Sequence, residues 1–238
     1  MRTNLSLIFL FAAVHGNCQL TSDQTHAIDS LKLIISGTND DNLRINALAQ
    51  WDNYIYYLDP DLDFKLNKQI ENICKLNLKN KTSKKVKAFY LNFYAKSLNN
   101  IGIVYANKGN YSQALKYYYQ SFKIREKIKD KRNVAGTLNN IGSVYNEQGN
   151  NVKAIDYYTR SLKIREEIKD KHGIANSLGS IGIIFASQKD FKKAMYYFNR
   201  CLKITSEIGE KEGISAALNN IGNIYELNGN YVKGGSIN

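Results

Sequence analysis

Three pairs of asparagines, Asn99-Asn100, Asn139-Asn140 and Asn219-Asn220, recur in one register along a chain of 238 residues. Each asparagine amide offers an acceptor oxygen and two donor hydrogens. Stacked in register, such amides form a ladder that can hold the backbone of an extended peptide whatever its side chains. The alternative reading of the same residues is polar filler between helices. No set of comparable order points to catalysis. The three histidines, His15, His26 and His172, have no second ligand at metal spacing. No glycine cluster follows a strand as a phosphate loop would, and no serine or cysteine nucleophile has an oriented base in view. Cys18, Cys74 and Cys201 do not make a disulfide framework, so Cys74 and Cys201 are expected as buried thiols. The expected chemistry is recognition, without catalytic residue, metal or cofactor.

The amides are positioned by a repeat. Leu98, Leu138, Leu178 and Leu218 are evenly spaced, and Gly102, Gly142, Gly182 and Gly222 keep the same step. Tyr105, Tyr145, Phe185 and Tyr225 follow it too, as do Ala114, Ala154 and Ala194. Leu138, Ile141, Gly142 and Tyr145 fall at i, i+3, i+4 and i+7, one stripe of a helix. Ala154, Tyr157, Tyr158, Ser161, Leu162 and Ile168 form a second stripe. Between the stripes, Gly109, Gly149 and Gly229 suit the left-handed residue that closes a helix. Asn110, Asn150, Asp190 and Asn230 suit the N-cap of the next. Lys189 takes glycine's place in the third period, at a cost of about 1 kcal/mol if the left-handed turn is kept.

Side-chain size carries packing information. Gly102 and its equivalents predict close approach of the two helices, and Cys201 occupies the slot of Ser121 and Ser161 as a small packing residue. In the pairs Tyr117-Tyr118, Tyr157-Tyr158 and Tyr197-Phe198, one ring is expected in the core and its neighbour over the joint to the next repeat.

The order Leu98, Ile101-Gly102, Tyr105, Gly109, Tyr111, Ala114, Tyr118, Ser121 resembles the tetratricopeptide (TPR) repeat. The family period is about 34 residues, shorter than the step from Leu98 to Leu138. The extra residues here lengthen the second helix and the join, as in the longer repeats of Pins-type and kinesin-light-chain proteins. Glu126 stands where the family has a proline. The resemblance implies an all-α fold, a right-handed solenoid of antiparallel helix hairpins over residues 84–238. Its repeats would be 96–130, 131–170 and 171–210, with an incomplete fourth at 211–238.

The resemblance also implies that the first helix of each hairpin lines a concave groove. The residues it would place there are Lys96, Asn99, Asn100, Ile103 and Asn107 in the first repeat, and Asn139, Asn140, Ser143 and Asn146 in the second. The third supplies Asn176 and Ser180, and the fourth Asn219, Asn220 and Asn223. Gly234-Gly235 disfavours a following helix by about 2 kcal/mol relative to alanine, so the fourth hairpin is expected to lack its second helix.

Ahead of the repeats, residues 26–80 read as a degenerate hairpin, with helices broken at Asp59-Pro60 and a polar break at 79–85. This opening is similar to that of exported bacterial TPR sensors, whose repeats precede a histidine kinase or a nucleotide cyclase. Arg2 followed by the apolar run Leu5–Val14 reads as a signal peptide over 1–18. Ten apolar residues are too few for a membrane span of about 20. Cys18 adds the alternative of a bacterial lipid anchor.

The net charge of +12 comes with Glu and Asp interspersed among the cations, as in residues 123–131, which reads as a solvated helix face. No nucleic-acid motif accompanies it. The expected function is an exported, non-enzymatic scaffold binding a protein or peptide. The alternative is the sensory region of a truncated histidine kinase or cyclase, and a weaker one a basic nucleic-acid-binding solenoid.

Overall fold

A computed structural model describes residues 20–56, 58–80 and 83–235, with side chains through 229. The expected signal segment, with Cys18, lies outside the described residues. Those residues form ten helices and no strand, in a TPR-like solenoid of antiparallel hairpins. The chain divides into two compact units, residues 1–124 and 125–238.

The first unit opens with three helices, α1 (Ser22–Gly37), α2 (Asp41–Ile55) and α3 (Pro60–Asn77). The expected hairpin at 26–80 is therefore a three-helix segment. Thr21 starts the additional helix with a capping box, its hydroxyl taking the Gln24 N–H while the Gln24 side chain takes the Thr21 N–H. Asp59 caps α3, and Pro60 follows where a helix needs no N–H donor. Ile45, Leu48, Leu66, Ile70, Cys74 and Tyr90 form the apolar core of this region. The long helix α4 (Lys84–Asn107) leads into the first repeat and pairs with α5 (Tyr111–Lys127). A Cβ on Gly102 would lie 2.6 Å from the Tyr118 ring, so glycine is what lets α4 and α5 close.

The second unit repeats that hairpin with α6 (Lys131–Glu147), α7 (Asn151–Glu167), α8 (Lys171–Ser187) and α9 (Phe191–Ile208), followed by α10 (Lys211–Gly235). A Cβ on Gly142 would meet the Tyr158 ring at 2.8 Å, and one on Gly182 the Phe198 ring at 2.6 Å. The slot shared by serine and cysteine has a further role. Ser161 Oγ donates to the Ala135 carbonyl at 2.8 Å and Cys201 Sγ to the Ala175 carbonyl at 3.4 Å. In the first unit Ser121 does the same to Ala95 at 2.7 Å. The hydroxyl or thiol thus bonds the second helix to the backbone of the first.

Gly109, Gly149 and Lys189 all take positive φ, at 72°, 73° and 61°. Lys129, Lys169 and Gly209 do so as well, so a left-handed residue follows the end of every helix from α4 to α9. Asp130 and Asp170 cap the first helices as Asn150 and Asp190 cap the second ones. Lys129 and Lys169 carry no sequence signature of such a turn, whereas the acidic caps beside them do.

One expectation is extended here and one is corrected. Tyr117, Tyr157 and Tyr197 have a role beyond the expected cover of the joint to the next repeat. They stack on Tyr105, Tyr145 and Phe185 of their own repeat, with centroids 5.5, 5.5 and 5.6 Å apart. The geometry follows from the register, which sets the two aromatic positions opposite each other across the turn. The correction concerns Gly229-Asn230, which are not a stop and a cap, because α10 runs on to Gly235. With no second helix packed back on α10 among the described residues, each further helical residue gains a backbone hydrogen bond and the helix propagates.

Candidate functional site

In the second unit the first helices α6, α8 and α10 carry the predicted asparagine and serine positions. Ser143, Asn176, Asn219 and Asn223 are exposed, and Asn139, Asn140, Asn146, Ser180 and Asn220 are half-buried. Glu147, Ser187 and Glu226 extend the same faces and are exposed. The inner positions that hold these helices are apolar. Leu138, Ile141, Val144, Leu178, Ile181 and Ile184 are all buried.

Tyr158 ties two of the faces together. Its ring lies on Gly142, while its hydroxyl is placed near Ser143 of α6 and Ser180 of α8. Burial pushes the phenol up to about 12, so it is protonated at neutral pH and available as a donor. Ser180 Oγ itself donates to the Asn176 carbonyl at 3.0 Å. The Asn139 side-chain oxygen is buried with no hydrogen-bond partner among the described residues. An acceptor left in that state favours any donor that reaches it. The assembled face is amide-rich, with the carboxylates of Glu147 and Glu226 beside the amides.

The first-unit members of the predicted set are placed differently. Asn99 and Asn100 are buried, not on a free face. Asn100 Nδ2 donates to Asp52 Oδ2 at 3.0 Å, because α2 packs on α3 and α3 on α4, which brings that carboxylate opposite it. Lys96 Nζ reaches Asn53 Oδ1 at 3.2 Å. Ile103 is half-buried and Asn107 exposed. The candidate site is therefore the second-unit face.

Asn100 belongs to a buried polar network that the sequence reading missed. Asn67 Nδ2 donates to Asp52 Oδ1 at 2.7 Å and to Asp63 Oδ1 at 2.5 Å. Burial, with a hydrogen bond to Asp52 and repulsion from its charge, pushes the Asp63 carboxyl up to about 8. One turn on, the buried Glu71 carboxylate accepts from Lys68 at 2.5 Å and Lys75 at 2.6 Å. Burial alone would raise its pKa, but the two ammonium groups outweigh that and hold it below the usual range. A signal was present, since Asp63, Asn67 and Glu71 share the stripe of Leu66, Ile70 and Cys74.

The remaining reactive groups are packed away. Cys74 and Cys201 are free and buried, and burial pushes the Cys74 thiol up to about 12, which suppresses the nucleophilic thiolate. His172 Nδ1 lies 3.2 Å from Glu210 Oε2 on the surface. No group of three or more His, Cys, Asp or Glu side chains could hold a metal ion among the described residues. No helix among them is long and apolar enough to cross a membrane.

Comparison with known proteins agrees with this architecture. The tetratricopeptide repeat family model matches residues 93–167 and 133–207. None of the curated proteins compared matches the chain. Among solved structures, BtubC (BKLC) from P. vanneervenii is similar with a TM-score of 0.69 at 14% identity, over 90% of this chain and 85% of that one. Aspartyl phosphate phosphatase F from Bacillus subtilis has a TM-score of 0.71 at 15% identity, over 86% of this chain and 57% of that one. A Rap protein complexed with Competence and Sporulation Factor has a TM-score of 0.68 at 14% identity, over 86% and 59% of the two chains. This chain thus spans little more than half the length of the phosphatase and of the Rap protein.

Proposed function

Because residues 93–207 are tetratricopeptide repeats, we propose that this protein-interaction scaffold takes an extended peptide on the faces of α6, α8 and α10. The observation that carries the reading is the placement of the Tyr158 hydroxyl near both Ser143 of α6 and Ser180 of α8. It sets two polar faces side by side as one surface. Asn140, Asn176 and Asn220 then supply donors and acceptors to a peptide main chain, which favours capture through backbone groups over capture through one charged side chain. The Rap protein, of similar fold, is itself complexed with a factor, which supports binding as the use of such a surface here.

The test is a display selection of random peptides on the whole chain. Peptides enriched on the wild type should lose at least about tenfold in affinity for the Asn140→Ala, Asn176→Ala, Asn220→Ala variant, with unchanged helical circular dichroism. Equal binding by the variant would remove the site from this face.

A further inference from the structure

In three successive hairpins, the same three positions of the first helix are covered by the second. Leu98, Leu138 and Leu178 are 0%, 2% and 0% exposed, whereas Leu218 in α10 is 51% exposed. A Cβ on Gly102, Gly142 or Gly182 would strike a ring at 2.6 to 2.8 Å, but one on Gly222 would meet nothing within 4 Å. Tyr105, Tyr145 and Phe185 each stack on a ring of the second helix, whereas Tyr225 is 67% exposed. The flank of α10 beside this face is seated normally, with Ile221 and Ile224 packed in the cluster of Ala186, Ala194 and Phe198. One side of α10 is thus a formed half-interface, complete in residue type and left open by the described residues.

Charge defines the rest of the occupant. Lys131 at the start of α6 pairs with Glu167 near the end of α7 at 3.1 Å, and Lys171 at the start of α8 with Glu207 near the end of α9 at 2.9 Å. Lys211 opens α10 at the same position and has no such carboxylate among the described residues. The Ser215 carbonyl stands where those of Ala95, Ala135 and Ala175 accept from serine or cysteine.

We propose that the Leu218, Gly222 and Tyr225 face of α10 is a second docking surface, which takes an amphipathic helix from a protein partner. The partner helix runs antiparallel to α10. It lays a tyrosine or phenylalanine on Gly222, donates from a serine or cysteine one turn later to Ser215, and brings a glutamate to Lys211. This surface lies on a different side of α10 from the Asn219, Asn220 and Asn223 face, so it is a separate site from the peptide groove.

The probe is a fluorescein-labelled peptide of residues 150–170, which carries Tyr158, Ser161 and Glu167 in that order. Fluorescence anisotropy on the whole chain should show saturable binding. Gly222→Ala should weaken it at least about tenfold, because the added methyl stands where the ring must lie. The same change puts a methyl into open space within a helix, so the fold is retained and circular dichroism verifies it. Lys211→Glu should weaken binding of the wild-type peptide and recover it for a Glu167→Lys peptide. The Asn140, Asn176, Asn220 triple variant should bind the probe as the wild type does, so failure of the groove and failure of this surface are read separately. Absence of saturable binding up to about 1 mM peptide would overturn the proposal. So would equal binding by Gly222→Ala, or self-association through α10 that the peptide does not compete.

Discussion

In the first unit α2, α3 and α4 meet through Asp52, Asp63, Asn67 and Asn100, whereas in the second unit α6 and α7 meet through Gly142 on Tyr158, and α8 and α9 through Gly182 on Phe198. Both are helix–helix interfaces, yet one is closed by hydrogen bonds among buried polar groups and the other by shape. The repeated interface can rely on shape because the same ring and the same glycine recur at every step. The first-unit interface has no such repetition to fix its register. Two buried amides and two carboxyl groups are paired in this arrangement, and an arrangement that parts them leaves a buried polar group unsatisfied. This gives the network a role in register, at the cost of a carboxyl that must stay protonated.

The largest expected effect tests whether the repeated interface works by burial alone. Leu178→Ala should cost about 2–5 kcal/mol, the range for a buried leucine that leaves a cavity. Leu218→Ala, in the same register but half exposed, should cost under about 1 kcal/mol. Urea denaturation of the two variants reads the difference. Equal losses would mean that the α10 face is covered in solution, which would change the comparison between the third and fourth first-helices.

Next in size is the pH dependence of the polar interface. An unfolded aspartate ionises near pH 4, whereas folded Asp63 ionises near about 8. Between those values the unfolded state binds fewer protons than the folded one. The contribution of Asp63 to stability is therefore full below about pH 4 and is lost progressively as pH rises towards 8. Asp63→Asn keeps the shape, with an amide donor to Asp52 and an oxygen for Asn67, and cannot ionise. The urea midpoint of the wild type should fall relative to that of Asp63→Asn between pH 5 and pH 8. Parallel profiles for the two proteins would show that the carboxyl is not held protonated, and the contrast between the two units would lose its electrostatic part.

The same contrast explains what the sequence could convey. The hairpins were legible because glycine, ring and small residue recur at one constant step, so each copy reports the packing of the others. The Cys201 slot was legible as small, although its bond to the Ala175 carbonyl was not. The polar network was hidden because its defining contact joins Asn100 to Asp52, far back in the chain, with no second copy to reveal it. For that reason Asn100 read as a groove residue beside Asn140 and Asn220, which share its repeat position and not its neighbours. The turns at Lys129 and Lys169 were hidden for another reason. Lysine has no preference for positive φ, and there the acidic cap and the docked helices impose the turn.

The smallest effect asks whether shape and polarity are separable inside one side chain. The Tyr158 ring fills the gap left by Gly142, while its hydroxyl lies near Ser143 and Ser180. Phe198 fills the same gap over Gly182 without a hydroxyl, and the position of Ser143 is there taken by Ile183. The two repeats therefore match ring chemistry to face chemistry: a phenol beside serine, a phenyl beside isoleucine. Tyr158→Phe should keep the packing and lose only the polar contact of the hydroxyl with Ser143 and Ser180, at a cost of up to about 1 kcal/mol. It should also weaken any peptide held across α6 and α8, because Ser143 and Ser180 would turn to new partners. An unchanged urea midpoint together with unchanged peptide affinity would show that the hydroxyl contributes to neither. Shape, with the bonds of Ser161 and Cys201 to the facing backbone, would then hold the repeated interface, and the polar face could be varied without touching the fold that carries it.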